Sequence, residues 1–375
     1  MKVVIISKAL HSIAYRRKTD AIAAHPGIDL TVIVPPSWRE PRAAAQWYEP
    51  GPTPNYTVIQ TPIQWNGHHH IHWYPQAGAL MRTIQPDVVH VDEESFNLAT
   101  FLAMRAAHAV GAASCFYNYA NIERTYPPPF GWFERYAFRT AAHAIACSHE
   151  AGEILRRHGY AGKLSILPQT GVDPDLYTPA AQPAPTDNGI MLGYVGRFVP
   201  EKGIADLINA LALLPAHYQL TLVGAGADEQ RLRTLADSLG VGNRIHWHAP
   251  IATSDMPAMM QSFTALVLPS RTTANWKEQF GRVIIEAMAC GTPVIGSDSG
   301  EIPYVIGAGG ATFPEGDASA LATVIQSVCA DPRRLEALRA TARQRILTHY
   351  TQTALAAQYV EIYRQMAASR TRNNQ

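Results

Sequence analysis

Glu278-Gln279-Phe280-Gly281-Arg282-Val283-Ile284-Ile285-Glu286-Ala287-Met288-Ala289-Cys290-Gly291-Thr292-Pro293-Val294-Ile295-Gly296 encodes a loop, a helix and the start of a strand. Gly281 allows a sharp turn where the loop enters the helix. The run from Arg282 is built of helix formers, and Gly291 is placed to stop it. Thr292 to Gly296 then reads as a short buried strand, and the apolar run ALVLP at 265–269 reads as the strand before the loop. Strand, loop, helix and strand in that order form one parallel α/β unit.

The same alternation extends in both directions. Upstream, IMLGYVG, YQLTLVG and RIHWH precede the unit, and GATF follows it, each next to a helical pattern. The first half repeats the scheme with KVVIIS, LTVIVP, YTVIQT, PDVVHV, ASCFY, HAIAC and KLSILP, and with helical segments at residues 96–110 and 132–141. Between the halves, PAAQPAPTDNG at 179–189 has few bulky apolar residues and reads as a linker. The expected fold is α/β with two Rossmann-like domains, residues 1–178 and 190–350, whose parallel sheets face one another across a deep cleft. Residues 351–375 are expected to form a helix that packs back toward the first domain, and a tail. Ligands of open α/β sheets bind beyond the carboxyl ends of the strands, so chemistry is sought there.

Composition narrows the class. The 375 residues are 47% hydrophobic and 16% charged, enough to bury two cores. Lys and Arg total 31 against 30 for Asp and Glu, a balance that argues against a nucleic-acid partner. The four cysteines are scattered in apolar contexts and read as buried thiols. The first ten residues, MKVVIISKAL, lack a signal-peptide pattern, and no stretch has the length of a membrane span. A cytoplasmic location is expected, with weak peripheral contact at the inner face of the membrane. Trp132, Arg135 and Arg139 mix aromatic and basic character in one segment, as an interfacial helix does, although a buried helix with solvated Arg is the plainer reading.

Gly193-Tyr194-Val195-Gly196-Arg197 runs from a strand into a turn, and Lys202 precedes a helix opening near Gly203. Ile204, Leu207, Ile208 and Leu211 mark that helix's buried face. Arg197 and Lys202 thus lie at a strand end beside a helix N-terminus, where an anion is favoured by both cations and amides. The plainer alternative is two solvated surface cations. Glu286 in the helix and Glu278 before it each offer a carboxylate that accepts hydrogen bonds, as vicinal sugar hydroxyls require.

At this point a resemblance becomes specific. EQFGRVIIEAMACGTPVIGSDSGEIPYVIG resembles the donor signature of family-4 retaining glycosyltransferases, with two Glu separated by seven residues. GYVGRFVPEKGIADLINAL resembles the family's phosphate-binding segment, LPQTGVDPDLYTP its interdomain stretch, and PDVVHV, more loosely, its fourth strand. The resemblance implies the GT-B architecture and transfer of a sugar from a UDP- or GDP-linked donor with retention of configuration. It implies that Arg197 and Lys202 neutralise the donor diphosphate, with Glu278 on the transferred sugar and Glu286 on the ribose. Phe280, Gly281, Arg282 and Gly196 would line the nucleotide sugar, and Ile251 lies in the segment expected at the base. The only Asp-x-Asp, Asp173-Pro174-Asp175, sits in a Pro-containing connection and reads as a turn. No metal and no cofactor are therefore expected.

The first half departs from the family pattern. The turn after the first strand, Ser7-Lys8-Ala9-Leu10-His11-Ser12, has no Gly, and no His follows the fifth strand. Candidate acceptor contacts are Tyr15 and Arg16 after the first strand, Asp92 and Glu93 after the fourth, and Asn118 after the fifth. Arg16, Arg17 and Lys18 otherwise read as an exposed helix face. Asp92-Glu93-Glu94 reads equally as a helix N-terminal charge cluster. His68, His70 and His72 are placed on one strand face, as packing rather than as a metal site.

Rival functions are a sugar-nucleotide epimerase on the same scaffold, a catalytically silent sugar-nucleotide-binding protein, a phosphorylase and a nicotinamide-dependent dehydrogenase. The last fails at Gly224-Ala225-Gly226-Ala227-Asp228-Glu229, where Glu occupies the third-glycine position. The expected partners are a nucleotide sugar and a carbohydrate or lipid-linked acceptor, in the building of cell-surface polysaccharide or glycolipid.

Overall fold

Short Val- and Ile-rich runs that are apolar on both faces are suited to parallel strands covered by helices on each side, and both halves of the chain fold that way. The computed structural model describes residues 1–40, 44–180 and 189–373. Most of the expected linker, 179–189, lies outside the described residues. The chain divides into two compact units, Met1–Thr170 with Gln352–Gln375, and Gly171–Thr351. Residues 171–178 go with the second unit. Val172 N donates there to Tyr350 O at 2.9 Å, and Arg343 donates to the carbonyls of Pro174 and Tyr177 at 3.1 and 2.6 Å.

In the first unit seven parallel strands lie in the order Tyr56–Gln60, Asp29–Val34, Lys2–Ile6, Val88–Val91, Ala113–Asn118, His143–Ala146, Leu164–Ile166. All seven correspond to apolar runs in the sequence. A small antiparallel pair, Ser37–Arg39 with Ala45–Trp47, has no such signal. The helix Gln352–Asn373 belongs to this unit. Its Ala356, Tyr359, Val360, Tyr363 and Met366 join the unit's core, and Tyr363 Oη lies 2.7 Å from His90 Nδ1.

The second unit has six parallel strands in the order Ile245–His248, Tyr218–Val223, Ile190–Val195, Ala265–Leu268, Val294–Ser297, Gly310–Phe313. Ile204, Leu207, Ile208 and Leu211 are all buried, as their spacing requires. Strand order reverses direction of growth between Ile190–Val195 and Ala265–Leu268. At such a switch point the connecting segments leave to opposite sides and open a space beyond the strand ends. The Gly224-Ala225-Gly226 turn braces the next loop, with Phe198 N donating to Ala225 O at 2.9 Å and Asp228 N to Phe198 O at 3.0 Å. All four cysteines are buried thiols outside any disulfide. Among the described residues no helix is long and apolar enough to cross a membrane.

The helix Ile13–Ala23 corrects one expectation. Arg16 is 1% exposed and Lys18 3%, so two of the three cations are interior rather than solvated. The Arg16 guanidinium lies 4.8 Å from the Tyr48 ring, donates to Tyr48 Oη at 2.7 Å and also bonds the Glu49 carbonyl. Lys18 is held over the rings of Tyr359 and Tyr117 at 4.6 and 5.8 Å. The helix is covered by neighbours that its own sequence does not reveal, and the long apolar stems of Arg and Lys suit such a place.

Candidate functional site

The switch point of the second unit gathers the residues that the motifs single out. After the strand Ile190–Val195 the chain makes the short turn Pro200–Lys202 and then the helix Ile204–Leu213. Gly203 joins them at φ 65°, and a Cβ there would stand 1.9 Å from the Pro269 carbonyl oxygen, so only glycine fits. The contact brings the loop after the neighbouring strand against the Lys202 turn.

That loop, 270–281, carries Glu278. Lys202 Nζ donates to Glu278 Oε2 at 2.6 Å, and Ser270 Oγ donates to the same oxygen at 3.0 Å. The Trp276 ring lies 4.7 Å from the ammonium. Both charged side chains are largely enclosed, at 15% and 10% exposure. A pair so sheltered is stronger than a surface ion pair, yet a lysine ammonium still has two further protons to donate. Arg271 fixes the base of the loop through a bidentate pair with Asp206, Nε to Oδ2 at 2.6 Å.

Gly281, at φ 70°, leads into the helix Arg282–Ala289. Arg282 Nε donates to Glu286 Oε1 at 3.0 Å, and burial raises the Glu286 carboxyl above its usual range against the pull of Arg282 and Tyr177. Arg282 itself stays 63% exposed. Phe280 is half-buried against Tyr350 at 5.9 Å between ring centres. Arg197 follows Gly196 at the strand end with its side chain 67% exposed, and its nearest anion is Glu201 at 3.9 Å. Ile251 is half-buried in the loop after the strand Ile245–His248. Sequence reasoning missed Ser270, Trp276 and Tyr177. Ser270 and Trp276 belong to no quoted motif and Tyr177 lies in the interdomain stretch, and each enters the site only through the fold.

In the first unit the ends of the strands Lys2–Ile6 and Val88–Val91 carry a second cluster. Asp92 is buried and accepts from Ser7 Oγ at 2.8 Å and from Tyr119 Oη at 2.9 Å. Burial raises its carboxyl, but Lys18, His90 and these hydrogen bonds outweigh burial and leave it below the usual range. Glu93 is buried too. It bonds the Lys8 ammonium and lies 3.4 Å from His72 Nε2, and against the cost of burial these partners hold it at about 2. Glu94 differs: burial drives it up to about 8, despite a hydrogen bond from Tyr119 N at 3.0 Å.

Asp92 and Glu93 are thus already committed to partners inside the protein. Asn118 is buried, its Nδ2 donating to Ala120 O at 3.4 Å. Arg16 is sealed away from the surface, which removes it as a surface contact. Tyr15 is 44% exposed. His68 to His72 form turns rather than one strand face, because 68 N donates to Trp65 O and 72 N to His68 O. His69 and His72 pack edge-on against Trp38 at 5.2 and 5.0 Å. Asp173 Oδ1 accepts from the amides of Asp175 and Leu176 at 3.0 and 3.4 Å, the turn expected of Asp-Pro-Asp.

Comparison with known proteins bears on these clusters. The family model described as Glycosyltransferase Family 4 matches residues 21–214, just over half of the chain, and Glycosyl transferases group 1 matches residues 180–345. D-inositol 3-phosphate glycosyltransferase 1 of Catenulispora acidiphila is 32% identical over 219 residues, 52% of this chain and 51% of that protein. Alpha-maltose-1-phosphate synthase of Mycolicibacterium smegmatis is 27% identical over 263 residues, 63% and 66% of the two. The match therefore spans about half to two-thirds of the length of these curated relatives. Among solved structures, sucrose-phosphate synthase from Thermosynechococcus elongatus has a TM-score of 0.70 at 23% identity, covering 98% of this chain and 100% of that one. HepE of Anabaena in complex with UDP has a TM-score of 0.70 at 19% identity, covering 96% and 99%. At these identities the structural likeness establishes the fold, which is GT-B.

Proposed function

The chain belongs to glycosyltransferase family 4, and from that premise we propose that it moves a sugar from a nucleoside-diphosphate sugar to an acceptor hydroxyl with retention of configuration. The observation that carries the proposal is the enclosed Lys202–Glu278 pair at the switch point of the second unit, 2.6 Å apart. A cation for phosphate and a carboxylate for hydroxyls are held together there, one helix turn and a loop from Glu286.

In this reading the second unit holds the donor. Lys202 and Arg197 bind the diphosphate, Glu278 the transferred sugar, and Glu286 the ribose hydroxyls. Gly196, Phe280, Gly281 and Arg282 line the nucleotide sugar, and Ile251 stands near the base. As the bond from the anomeric carbon to the β-phosphate oxygen breaks, negative charge grows on the leaving diphosphate. Lys202 is already oriented by Glu278, Ser270 and Trp276, so little reorganisation is needed when that charge appears. The acceptor oxygen forms the new bond on the face the leaving group vacates, and its proton passes to a diphosphate oxygen. No step requires a metal or a protein base. Retention rests on the family signature rather than on a distance.

The first unit takes the acceptor in this reading, with Tyr15, Asp92, Glu93 and Asn118 in the region of its strand ends. Arg135 and Arg139 are exposed and Trp132 is 59% exposed, which supports loose contact with a membrane surface and a lipid-linked or polysaccharide acceptor. The test is a thermal-shift screen of the purified chain against UDP, GDP, ADP and TDP and their sugar conjugates. A shift with one nucleoside diphosphate, lost in Lys202→Ala, is the expected result. No shift with any of them removes the donor site.

A further inference from the structure

The loop that carries Glu278 runs along the surface of the second unit, and its residues 271–275 are all exposed. Exposed loops with few apolar contacts are ordinarily among the mobile parts of a fold. This one is tied down at successive points. Arg271 N donates to Glu201 O at 2.8 Å, which fastens the loop to the Lys202 turn itself. Thr272 N donates to Glu315 Oε2 at 2.7 Å, and the hydroxyls of Thr272 and Ser299 lie 2.9 Å apart. Thr273 N donates to Trp276 O at 2.8 Å and Trp276 N to Thr273 O at 3.4 Å, closing a tight turn. Beyond it, Glu301 N donates to Glu278 O at 3.1 Å. Trp276 is the one large apolar side chain in residues 271–277. These bonds present it half-buried, with its ring 4.7 Å from the Lys202 ammonium.

We propose, on the transferase reading above, that Trp276 is a positioning residue for the donor diphosphate: its ring fixes the Lys202 ammonium beside Glu278 and leaves the positive charge available to phosphate. A lysine ammonium sits on a flexible four-carbon stem, so a single hydrogen bond does not fix its place. Glu278 takes one of its three protons. The second hold comes from the ring, because an aromatic face attracts a cation within about 6 Å through its quadrupole.

The residue type matters. Glu278 already supplies one negative charge to Lys202. A second carboxylate in place of Trp276 would bind the ammonium too, but it would also repel an incoming diphosphate. An indole holds the cation and carries no net charge. A leucine would cover the same ammonium with apolar surface yet offer it no attraction. The Lys202 side chain keeps 15% of its surface exposed, so the cap does not close it off from solvent.

The experiment is a calorimetric titration with whichever of UDP, GDP, ADP and TDP stabilises the parent chain most. Trp276→Leu should weaken binding about tenfold, the scale of a partly desolvated cation–π contact. Trp276→Phe, which restores an aromatic face, should lose no more than about threefold. In the Lys202→Ala background Trp276→Leu should cost less than about twofold further, because the partner it acts through is gone. A merely structural Trp276 would weaken both backgrounds alike, and that result overturns the proposal. Unaltered binding in Trp276→Leu overturns it as well, as does an equal loss in Trp276→Phe. Trp276→Met, flexible enough to lie along the same surface, repeats the comparison if the Leu variant does not fold. Any of these failures, with the parent still binding its nucleotide, leaves the transferase reading standing. Absence of binding by the parent to all four diphosphates removes that reading instead.

Discussion

Lys202 and Glu278, 76 residues apart in sequence, meet with Nζ 2.6 Å from Oε2, sheltered by Trp276 and by the Ser270 hydroxyl. The pair links two loops that each follow a strand of the same sheet. It turns two motif residues into one electrostatic unit, so that the loss of either should be felt by the other.

Lys202→Ala should cut turnover by at least about a hundredfold, as loss of a charge partner to the leaving group does. It should also weaken the thermal shift with the preferred nucleoside diphosphate. Unaltered turnover would take Lys202 out of the site.

Glu278→Ala should harm transfer more than binding of the bare nucleotide, since its carboxylate is assigned to the sugar. Measuring the dissociation constant of the nucleoside diphosphate alongside turnover separates the two. An equal loss in both would assign Glu278 to the nucleotide.

Gly203→Ala should destabilise the second unit by about 2 kcal/mol or more, because φ is 65° and the new Cβ would overlap the Pro269 carbonyl. Urea unfolding monitored beside nucleotide binding is the check. Wild-type stability would mean that the loop at Pro269 moves freely.

Treatment with EDTA should leave transfer intact, because the proposed chemistry relies on Lys202 and Arg197 for the diphosphate. Abolition of activity, restored by an added divalent ion, would replace that assignment with a metal.

Glu94 should leave a signature in stability against pH. Burial raises its folded pKa from 4.5 to about 8, so between those values the folded chain keeps a proton that the unfolded chain has released. Its contribution is whole below about pH 4.5 and is lost as pH rises toward 8. Lys8, Glu93 and the Tyr119 and Ala120 amides act on the same group. The midpoint of Glu94→Gln relative to the parent should therefore rise from pH 5 to pH 8. A gap that does not vary with pH would show an ordinary, ionised Glu94.

Much of the architecture was written locally. Strand runs such as PDVVHV and ALVLP, and the helix from Arg282 with its Gly291 stop, depend on neighbouring residues alone, and the fold reproduces them. Glu278 and Glu286, with seven residues between them, marked the segment that resembles the family's donor signature without any coordinates. Where the reading failed, the cause was distant. The basic run Arg16, Arg17 and Lys18 looks like a solvated face until Tyr48, Glu49, Tyr117 and Tyr359 close over its first and last members. The histidines at 68–72 alternate like a strand, yet they turn back on themselves and pack on Trp38.

By itself, then, the sequence determined the two α/β repeats, the family signature and the chemical types at the switch point, because periodicity and motif spacing are properties of adjacent residues. Tertiary structure alone decided that Lys202 is paired with Glu278 and capped by Trp276, and that Asp92 and Glu93 are spent on internal partners while burial raises the Glu94 carboxyl. Charge state and hydrogen-bond supply depend on burial and on which atoms approach within a few ångströms, and those neighbours come from loops far apart along the chain.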